Sequence, residues 1–266
     1  MIRFLSFSSG SCGNCYLLLH QVAEGRGAGI LIDAGVGLRR MKKVLESVSL
    51  DFSCIQGVLV THDHGDHIRH LGTLCKRLSV PVYATPVLHG ALSRRHSLDS
   101  CRRNLSADAW NPVADGIEAQ YFVVPHDATQ TVGFAIRAEG RLFVLMTDLG
   151  HVTEEAMEWA RQADTVVIES NFDVDMLIGG SYPHELKMRI CQGSGHLSND
   201  ACCDAIRRFL HPGLRNLFLC HLSGNNNTPK RAYDQAAATL RDLGATSGTI
   251  HLRVLERGIP SPLLNL

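Results

Sequence analysis

The sequence lacks an excess of charge of either sign, because 26 Lys and Arg residues balance 26 Asp and Glu residues among 266. A broad basic field that would hold a polyanion non-specifically is therefore excluded, and a nucleic-acid substrate would need a local basic surface. The chain also lacks an apolar run as long as a membrane span, so we expect no membrane association.

We also expect no export signal, because residues 1–6 do not start a charged segment followed by an apolar stretch and a small-residue cleavage site. We therefore expect a cytoplasmic, reducing location, in which most of the nine cysteines pack as small core residues. Cys12 and Cys15 form a C-x-x-C pair, but no second pair follows at zinc-ribbon spacing. The pair also runs into the apolar residues 16–19 instead of opening a helix, which disfavours redox or zinc chemistry there.

The first half of the chain predicts short strands separated by turns. Stretches rich in Ile, Leu, Val, Phe and Tyr indicate strands at residues 2–8, 15–19, 29–33, 57–61 and 80–84. Gly25, Arg26 and Gly27 predict the hairpin turn between the second and third of these strands. Apolar residues at intervals of three and four predict helices at residues 38–47 and 68–78.

In the second half, strands and helices alternate after a predicted tight turn at Glu139 and Gly140. Strands are predicted at residues 117–124, 131–138, 141–146, 165–168, 216–220 and 249–255, and helices at 154–161, 185–191, 199–210 and 229–243. The polar and basic residues 89–112 leave their structure open. Because no repeat, low-complexity segment or long linker occurs, the pattern indicates one α/β (α+β) domain over residues 1–266, with two face-to-face sheets under outer helices.

Residue types that bind metal ions follow the apolar residues 57–60. Three imidazoles and a carboxylate stand within six residues, at His62, His64, Asp66 and His67. Such a cluster cannot pack into a core without partners, because each neutral imidazole brings a donor and an acceptor. A loop after a strand would aim these side chains at one pocket, where nitrogen and oxygen ligands suit zinc, manganese or iron. The sequence therefore predicts a metal site here, with a solvated polar turn as the weaker interpretation.

Three more candidates follow apolar strands, at His126, Asp148 and His221. Each alone is more readily a satisfied turn residue than a ligand. Strand ends on one rim of a sandwich converge, however, so three candidates at equivalent places favour a common site with the cluster at residues 62–67.

These motifs together resemble the metallo-β-lactamase superfamily, with Asp33 in residues 31–35 (LIDAG) as its first motif. The resemblance implies a four-layer αββα sandwich. It also implies one metal ion held by His62, His64 and His126, a second held by Asp66, His67 and His221, and Asp148 as the bridge. Asp33 would then orient the cluster without ligating.

The residues at positions 64 and 148, and the spacing from Asp148 to His221, disfavour several branches of this superfamily. A Cys at position 148 would suggest a β-lactamase and a Glu at position 64 a flavodiiron protein, and this chain has Asp148 and His64. The stretch from Asp148 to His221 is also too short for the domain inserted in the RNA-processing β-CASP enzymes. Asp148 as a bridge favours hydrolysis of phosphodiesters or related bonds.

A closer resemblance, to the bacterial YycJ (WalJ, VicX) family, covers nearly the whole chain. Its six motifs are residues 9–14 (SGSCGN), 126–128 (HDA), 147–150 (TDLG), 169–173 (ESNFD), 182–190 (YPHELKMRI) and 195–199 (GHLSN). The resemblance implies a cytosolic metal-dependent hydrolase that acts as a 5′–3′ DNA exonuclease with a link to DNA repair. Phe172 stands where many members are expected to have His, so no role of that His is carried over.

With water as the nucleophile, Asp66 is expected to be both a ligand and the group that orients the water or accepts its proton. His196 is expected to protonate the leaving oxygen or to stabilise its charge. The alternative for His196 is a purely structural role, in which its side chain forms a hydrogen bond within its own loop. Ser11 and Asn14 in the glycine-rich loop, and Asn171 and Asp173 after a buried strand, are the candidates for binding substrate or supporting the pocket.

Two basic runs are the places where DNA phosphates would bind, unless they are merely solvated faces: Arg39, Arg40, Lys42 and Lys43, and Arg94, Arg95, Arg102 and Arg103. The main alternative function is a small-molecule (cyclic) phosphodiesterase on the same scaffold, which the neutral charge favours, and a non-catalytic metal-binding module is the weaker one. Two divalent ions are predicted as cofactors, but His and Asp ligands suit Zn, Mn and Fe alike. The sequence does not predict the oligomeric state.

Overall fold

The computed structural model describes residues 1–23, 26–98, 100–245 and 248–266, and in these residues the strands form two seven-stranded sheets. In chain order the strands are β1 (Ile2–Ser8), β2 (Cys15–Ala23), β3 (Arg26–Ile32), β4 (Ile55–Leu59), β5 (Val82–Ala84), β6 (Arg102–Asn104), β7 (Asn111–Ala114), β8 (Ile117–Val124), β9 (Thr131–Ala138), β10 (Arg141–Met146), β11 (Thr165–Glu169), β12 (Asn216–Cys220), β13 (His251–Val254) and β14 (Leu264–Asn265). The helices are α1 (Leu38–Ser47), α2 (Gly65–Ile68), α3 (Leu71–Leu78), α4 (Pro86–Leu92), α5 (Glu154–Ala160), α6 (Val174–Gly179), α7 (His184–Cys191), α8 (Asn199–Phe209) and α9 (Pro229–Asp242), with a 3-10 turn at Phe52–Cys54.

Each sheet joins an antiparallel part to a parallel part. The first sheet has the order β14-β1-β2-β3-β4-β5-β6 and is parallel from β3 to β6. The second has the order β13-β12-β11-β10-β9-β8-β7 and is parallel from β10 to β13. Neighbouring parallel strands point the same way, so the residues that follow β3 and β4 lie at one edge, as do those that follow β10, β11 and β12.

A cluster of buried aromatic rings joins the two sheets. The ring of Phe4 in β1 lies 6.0 Å from that of Tyr16 in the neighbouring strand of its own sheet. It also lies 5.6 Å from Phe218 and 5.3 Å from Phe143 in the opposite sheet. These side chains are at most 3% exposed, so they bury large apolar areas at the sheet interface.

Helices pack against both sheets. Apolar side chains of α1, α3 and α4, such as Met41 and Leu74, join the core around the first sheet. Those of α5, α8 and α9, such as Met157 and Phe209, pack with the second sheet. The four layers confirm the predicted α/β class and the αββα sandwich.

Most predicted elements have the expected places, and α1, β1, β8, β9, β10 and β12 have the predicted bounds. The tight turn falls at Glu139 and Gly140, whose φ angles of 49° and 73° suit a type I′ hairpin. The single helix predicted at residues 68–78 is wrong. The N–H of His70 donates to the Ala34 carbonyl at 3.0 Å, which ends α2 and separates it from α3.

Two regions of the sequence were predicted only in part or fall partly outside the described residues. The turn predicted at Gly25, Arg26 and Gly27 falls partly on residues 24–25, which lie outside the described residues, while the flanking strands β2 and β3 pair antiparallel. The open segment 89–112 contains the end of α4, the whole of β6 and the first two residues of β7. These two strands lie at the outer ends of the two sheets.

The structure also describes the cysteines and the character of the helices. All nine cysteines are free thiols, and seven of them are buried, as predicted. Cys12 is exposed and Cys15 is buried. In the described ranges no helix combines the length and the apolar character needed to cross a membrane.

We expect Phe4→Ala to lower the free energy of unfolding by about 3–5 kcal/mol, because it opens a cavity between the sheets. Val123→Ala is the matched control, since Val123 is 47% exposed on β8 and should change stability by less than about 0.5 kcal/mol. Urea denaturation measures both. Equal effects of the two substitutions would contradict the assigned sheet interface.

Candidate metal centre

Polar side chains converge where strands of both sheets end. Asp33 follows β3, the 61–67 loop follows β4, and His126, Asp148 and His221 follow β8, β10 and β12. His62, His67, Asp148 and His221 are at most 4% exposed. The structure therefore brings all seven predicted ligands to one end of the sandwich, four from the 61–67 loop after β4 of the first sheet and three from loops of the second sheet.

The first group consists of His62, His64 and His126. One ring nitrogen of each lies within 4.8 Å of those of the other two. The ring centroids are 4.7 Å apart for His62 and His64 and 5.1 Å apart for His64 and His126. Three imidazoles that face one point form a donor set of the kind that divalent metal ions take.

The second group consists of Asp66, His67 and His221, whose ligand atoms also lie within 4.8 Å of one another. Asp66 Oδ2 is 3.6 Å from His67 Nε2 and 3.8 Å from His221 Nε2. One carboxylate and two imidazoles again make a mixed oxygen and nitrogen donor set.

Asp148 lies between the two groups. Its Oδ2 is 3.2 Å from His67 Nε2, in the second group, and its Oδ1 is 3.8 Å from His126 Nε2, in the first. Oδ1 also lies 3.3 Å from His221 Nδ1, so this buried carboxylate stands between the two groups and contacts residues of both.

Three ring nitrogens test whether these residues fit metal ions. Nε2 of His62, of His126 and of His221 is buried, and in the described residues none has a hydrogen-bond partner. The other nitrogen of His126 donates to the Gly195 carbonyl at 2.9 Å, which leaves a lone pair on Nε2. Buried polar atoms are normally paired, so lone pairs that converge here fit divalent cations.

Asp33 supports the second group from behind. Its Oδ2 accepts a hydrogen bond from His67 Nδ1 at 2.6 Å, and its two oxygens accept the N–H and hydroxyl of Thr61, each at 2.8 Å. The bond to Nδ1 turns His67 Nε2 towards Asp148. These contacts fit the orienting role predicted for Asp33, which holds His67 through Nδ1 and is itself outside the two ligand groups.

Backbone strain occurs at three of these strand ends. Asp33, Asp148 and His221 have φ angles of 63°, 55° and 53°, in the left-handed region that residues with a Cβ rarely occupy. Each residue directly follows its strand or stands one position later, so the turn changes the chain direction and aims the side chain at the site. Such strain persists only where surrounding contacts fix it.

The glycine-rich loop at residues 9–14 braces the second group. The Asn14 N–H donates to the Asp66 carbonyl at 2.8 Å, and its side-chain amide lies 3.2 Å from Asp66 Oδ2 and 2.8 Å from His67 Nε2. Gly35 allows this approach, because a Cβ there would lie 1.7 Å from the Asp66 carbonyl oxygen. Asn14 therefore contacts the ligands themselves, while Ser11 is exposed and lines the adjacent pocket.

Glu169 is a buried carboxylate that sequence reasoning missed as a site residue. Its Oε1 accepts His221 Nδ1 at 2.7 Å and His196 Nδ1 at 2.9 Å. Its Oε2 accepts the backbone N–H groups of Leu149 and Leu197. Glu169 is the last residue of β11, whereas the predicted candidates all follow their strands, so the rule that selected them passed over it.

The protonation of the cluster follows from these pairings. Burial opposes the charged form of His67, but the carboxylates of Asp148 and Asp33 outweigh it and raise the pKa of His67 to about 10. Burial, together with His67, lowers the pKa of His62. Burial also opposes ionisation of Glu169, but His196 and His221 hold its pKa at about 2.

His196 lies outside both ligand groups and at the edge of a pocket. Its Nδ1 donates a hydrogen bond to Glu169 and not to a group of its own loop. The alternative of a side-chain hydrogen bond within that loop therefore does not describe this nitrogen. The pocket has a volume of about 200 Å³ and is lined by Ser11, Asp127, Asn171, Tyr182, Leu186, Arg189, Ile190, Gly195, His196, His221, Leu222 and Ser223. His196 is therefore shared between the ligand cluster and a space open to solvent.

Asn171 and Asp173 have different surroundings. The Asn171 amide donates to the His221 carbonyl at 2.7 Å and also lines the pocket. Asp173 is not among the residues that line this pocket, and its predicted role in supporting the pocket stays a prediction. One oxygen of Asp173 caps α6 at Met176 N, and the other accepts from Arg231 at 2.9 Å.

The residues 29–221 match a family model described as a β-lactamase superfamily domain. The chain belongs to the β-lactamase superfamily. It is a hydrolase of the metallo-β-lactamase fold, and its His and Asp groups are suited to divalent metal ions.

Relatives within the β-lactamase superfamily span nearly the whole chain. The exodeoxyribonuclease YycJ of Bacillus anthracis is 30% identical over 91% of this chain and 90% of its own. The exodeoxyribonuclease WalJ of Streptococcus pneumoniae is 30% identical over 87% of this chain and 85% of its own. These matches confirm the family resemblance drawn from the six motifs.

A solved structure has the same fold. The metallo-β-lactamase fold protein YhfI of Bacillus subtilis superposes with a TM-score of 0.69 at 15% identity, and the match covers 98% of this chain and 99% of that chain. At this identity the likeness speaks for the fold alone.

The basic runs of this β-lactamase superfamily chain are only partly free. Arg95 donates to the Asp63 carbonyl at 2.7 Å and so braces the metal-binding loop, and Arg40 donates to the Gly258 carbonyl. Arg102 and Arg103 lie on the exposed strand β6. Phosphate binding by these runs remains a prediction.

We expect Glu169→Ala to lower the free energy of unfolding of the metal-free protein by about 3–5 kcal/mol, because His196, His221 and two backbone donors lose a buried partner. Glu158→Ala, on the exposed side of α5, is the control and should cost less than about 0.5 kcal/mol. Urea unfolding after chelation measures both, and a loss below 1 kcal/mol for Glu169→Ala would contradict the contacts described.

Proposed function

We propose that this hydrolase is a phosphodiesterase with two divalent metal ions, and that it removes nucleotides from DNA ends in the 5′–3′ direction. The observation that carries the proposal is the place of Asp148 between two ligand groups, with Oδ2 beside His67 and Oδ1 near both His126 and His221. The relatives YycJ and WalJ match this chain over most of their length and are named exodeoxyribonucleases. They support the DNA part of the proposal.

In this proposal His62, His64 and His126 hold one ion, Asp66, His67 and His221 hold the other, and Asp148 contacts both. Two such ions would lower the pKa of a water molecule and neutralise charge on the phosphate oxygens. The ligand types suit Zn, Mn or Fe, so the metal is left open among these three.

Asp66 and His196 are the proposed groups for moving protons. The Asp66 side chain is 19% exposed, so its carboxylate is in reach of a water molecule while it stays beside His67 and His221. It orients that water and accepts its proton. The opposite role falls to His196, whose Nδ1 is held by Glu169, so that the Nε2 edge is left to donate a proton to the leaving oxygen.

The nine free thiols fit a cytoplasmic, reducing compartment, and we extend the proposal to that location and to a role in DNA repair. Loss of the gene should then sensitise cells to DNA damage. The biochemical tests below do not depend on this extension.

Metal binding has a readout that needs no substrate. We expect the chelated protein to take up two equivalents of Mn²⁺ or Zn²⁺ with a rise in melting temperature, because metal binding stabilises the folded state. Asp148→Asn should reduce the uptake, and Asp108→Asn, on an exposed loop, should not. Calorimetric titration measures the stoichiometry, and a wild-type value of one equivalent or fewer would contradict the two-ion proposal.

Substrate class is tested with a panel of labelled nucleic acids: DNA and RNA, duplex and single strand, with 5′-phosphate and 5′-hydroxyl ends. With Mn²⁺ we expect progressive loss of nucleotides from DNA, and Asp66→Ala or His196→Ala should slow it by about 100-fold or more. Asp108→Asn should match wild type. Inertness on all nucleic acids, with cleavage of a cyclic phosphodiester, would replace the proposal by the small-molecule alternative.

A further inference from the structure

The pocket beside the ligand groups shares residues with them, and this position bears on which ligand can bind in it. His221, a member of the second group, and His196 both line it. A phosphodiester placed against the ligand groups can therefore direct one of its two substituents into this pocket. That substituent lies on the leaving side or the retained side of the bond that is cut.

The pocket is lined by one set of apolar or aromatic side chains and by another set of polar side chains. Tyr182, Leu186, Ile190 and Leu222 give it apolar and aromatic surface. Ser11, Asn171, Ser223 and Arg189 give it hydroxyl, amide and guanidinium groups. A nucleotide has the same division, with a flat base that prefers apolar contact and a sugar-phosphate part that prefers polar contact.

Helix α7 contributes Leu186 and Ile190 without belonging to the core. None of its residues is buried, and Met188 on the same helix is 46% exposed. Apolar side chains on such a helix do not stabilise the fold by burial, so their presence beside a functional cleft indicates a binding surface. The helix is attached instead by Arg189, which pairs with Asp127, and by Lys187, which donates to the Ile178 carbonyl at 2.6 Å.

Tyr182 supplies a fixed aromatic ring at this wall. Its hydroxyl accepts a hydrogen bond from the Asn225 amide at 3.0 Å, and the residue is half-buried. A ring held in this way is a platform on which any nucleobase can stack, because every base has a flat π face.

The volume favours a small occupant. Pockets for drug-sized ligands measure roughly 300–1,000 Å³, whereas this pocket measures about 200 Å³. The enclosed space is therefore closer to the size of one nucleoside than to that of two stacked ones.

We propose that this pocket receives a single terminal nucleotide of a DNA strand, with its base on Tyr182 and its polar part towards Ser11, Ser223 and Arg189. The inference rests on the proposed nuclease function and deepens it. Because the pocket takes one unit, the products are mononucleotides. Because stacking is the main contact to the base, removal proceeds with little preference among the four bases.

The test compares Tyr182→Ala and Tyr182→Phe with wild type on duplex DNA whose 5′-terminal nucleotide is either normal or abasic. Tyr233→Ala is the matched control, because Tyr233 is 40% exposed on α9 and does not line this pocket. The readouts are KM and kcat for release of the first nucleotide, the product size, and the Kd of dAMP by calorimetry.

We expect Tyr182→Ala to raise KM and the Kd of dAMP by about 10- to 100-fold, the range that base stacking gives. Tyr182→Phe should stay within about threefold of wild type, and Tyr233→Ala should match it. An abasic end should cost the wild-type protein most of the same factor and should largely remove the difference between wild type and Tyr182→Ala. The abasic comparison on wild type needs no variant and so does not depend on folding.

Two outcomes overturn the inference in different ways. If wild type degrades DNA but Tyr182→Ala is unchanged, or loses as much on abasic as on normal ends, the pocket does not hold the terminal base. Dinucleotides or longer fragments as first products would have the same meaning. If wild type degrades no DNA at all, the proposed function fails and this inference fails with it.

Discussion

Buried carboxylates and imidazoles that neutralise one another are the interaction on which this structure depends. Asp148 lies 3.2 Å from His67 Nε2 and 3.3 Å from His221 Nδ1, and all three side chains are almost inaccessible to water. Burying any one of these charges alone would cost several kcal/mol. Because each has its partners, the same groups can also exchange protons for metal ions without unfolding the site.

The fold supplies the geometry that this pairing needs. Parallel strands from both sheets end beside one another, so short turns after β3, β10 and β12 reach the same point. Left-handed backbone at Asp33, Asp148 and His221 makes those turns sharp. The aromatic contacts of Phe4 with Phe143 and Phe218 pack the two sheets against each other, and both sheets supply residues to the site.

Much of this was predictable from particular residues. The run from His62 to His67 could not be packed as a core, and His126, Asp148 and His221 followed apolar strands, so a common site was foreseeable. Glu169 was missed because it is the last residue of a strand and not the first residue after it. Asp173 caps α6, and the sequence alone does not distinguish an Asp that caps a helix from an Asp that binds a ligand.

Other features depend on contacts between distant residues and leave no local pattern. The break before α3 comes from a hydrogen bond between His70 and Ala34. Arg95 in the basic middle segment is committed to the Asp63 carbonyl, although a charge run by itself suggests a free surface. The pocket wall on α7 is equally hidden, because its apolar residues read as an ordinary amphipathic helix.

The central claim is that two ligand groups share one carboxylate, and anomalous diffraction from crystals soaked in Mn²⁺ tests it most directly. We expect two anomalous peaks, one among His62, His64 and His126 and one among Asp66, His67 and His221, with Asp148 in contact with both. A single peak, or peaks away from these residues under saturating metal, would contradict the account.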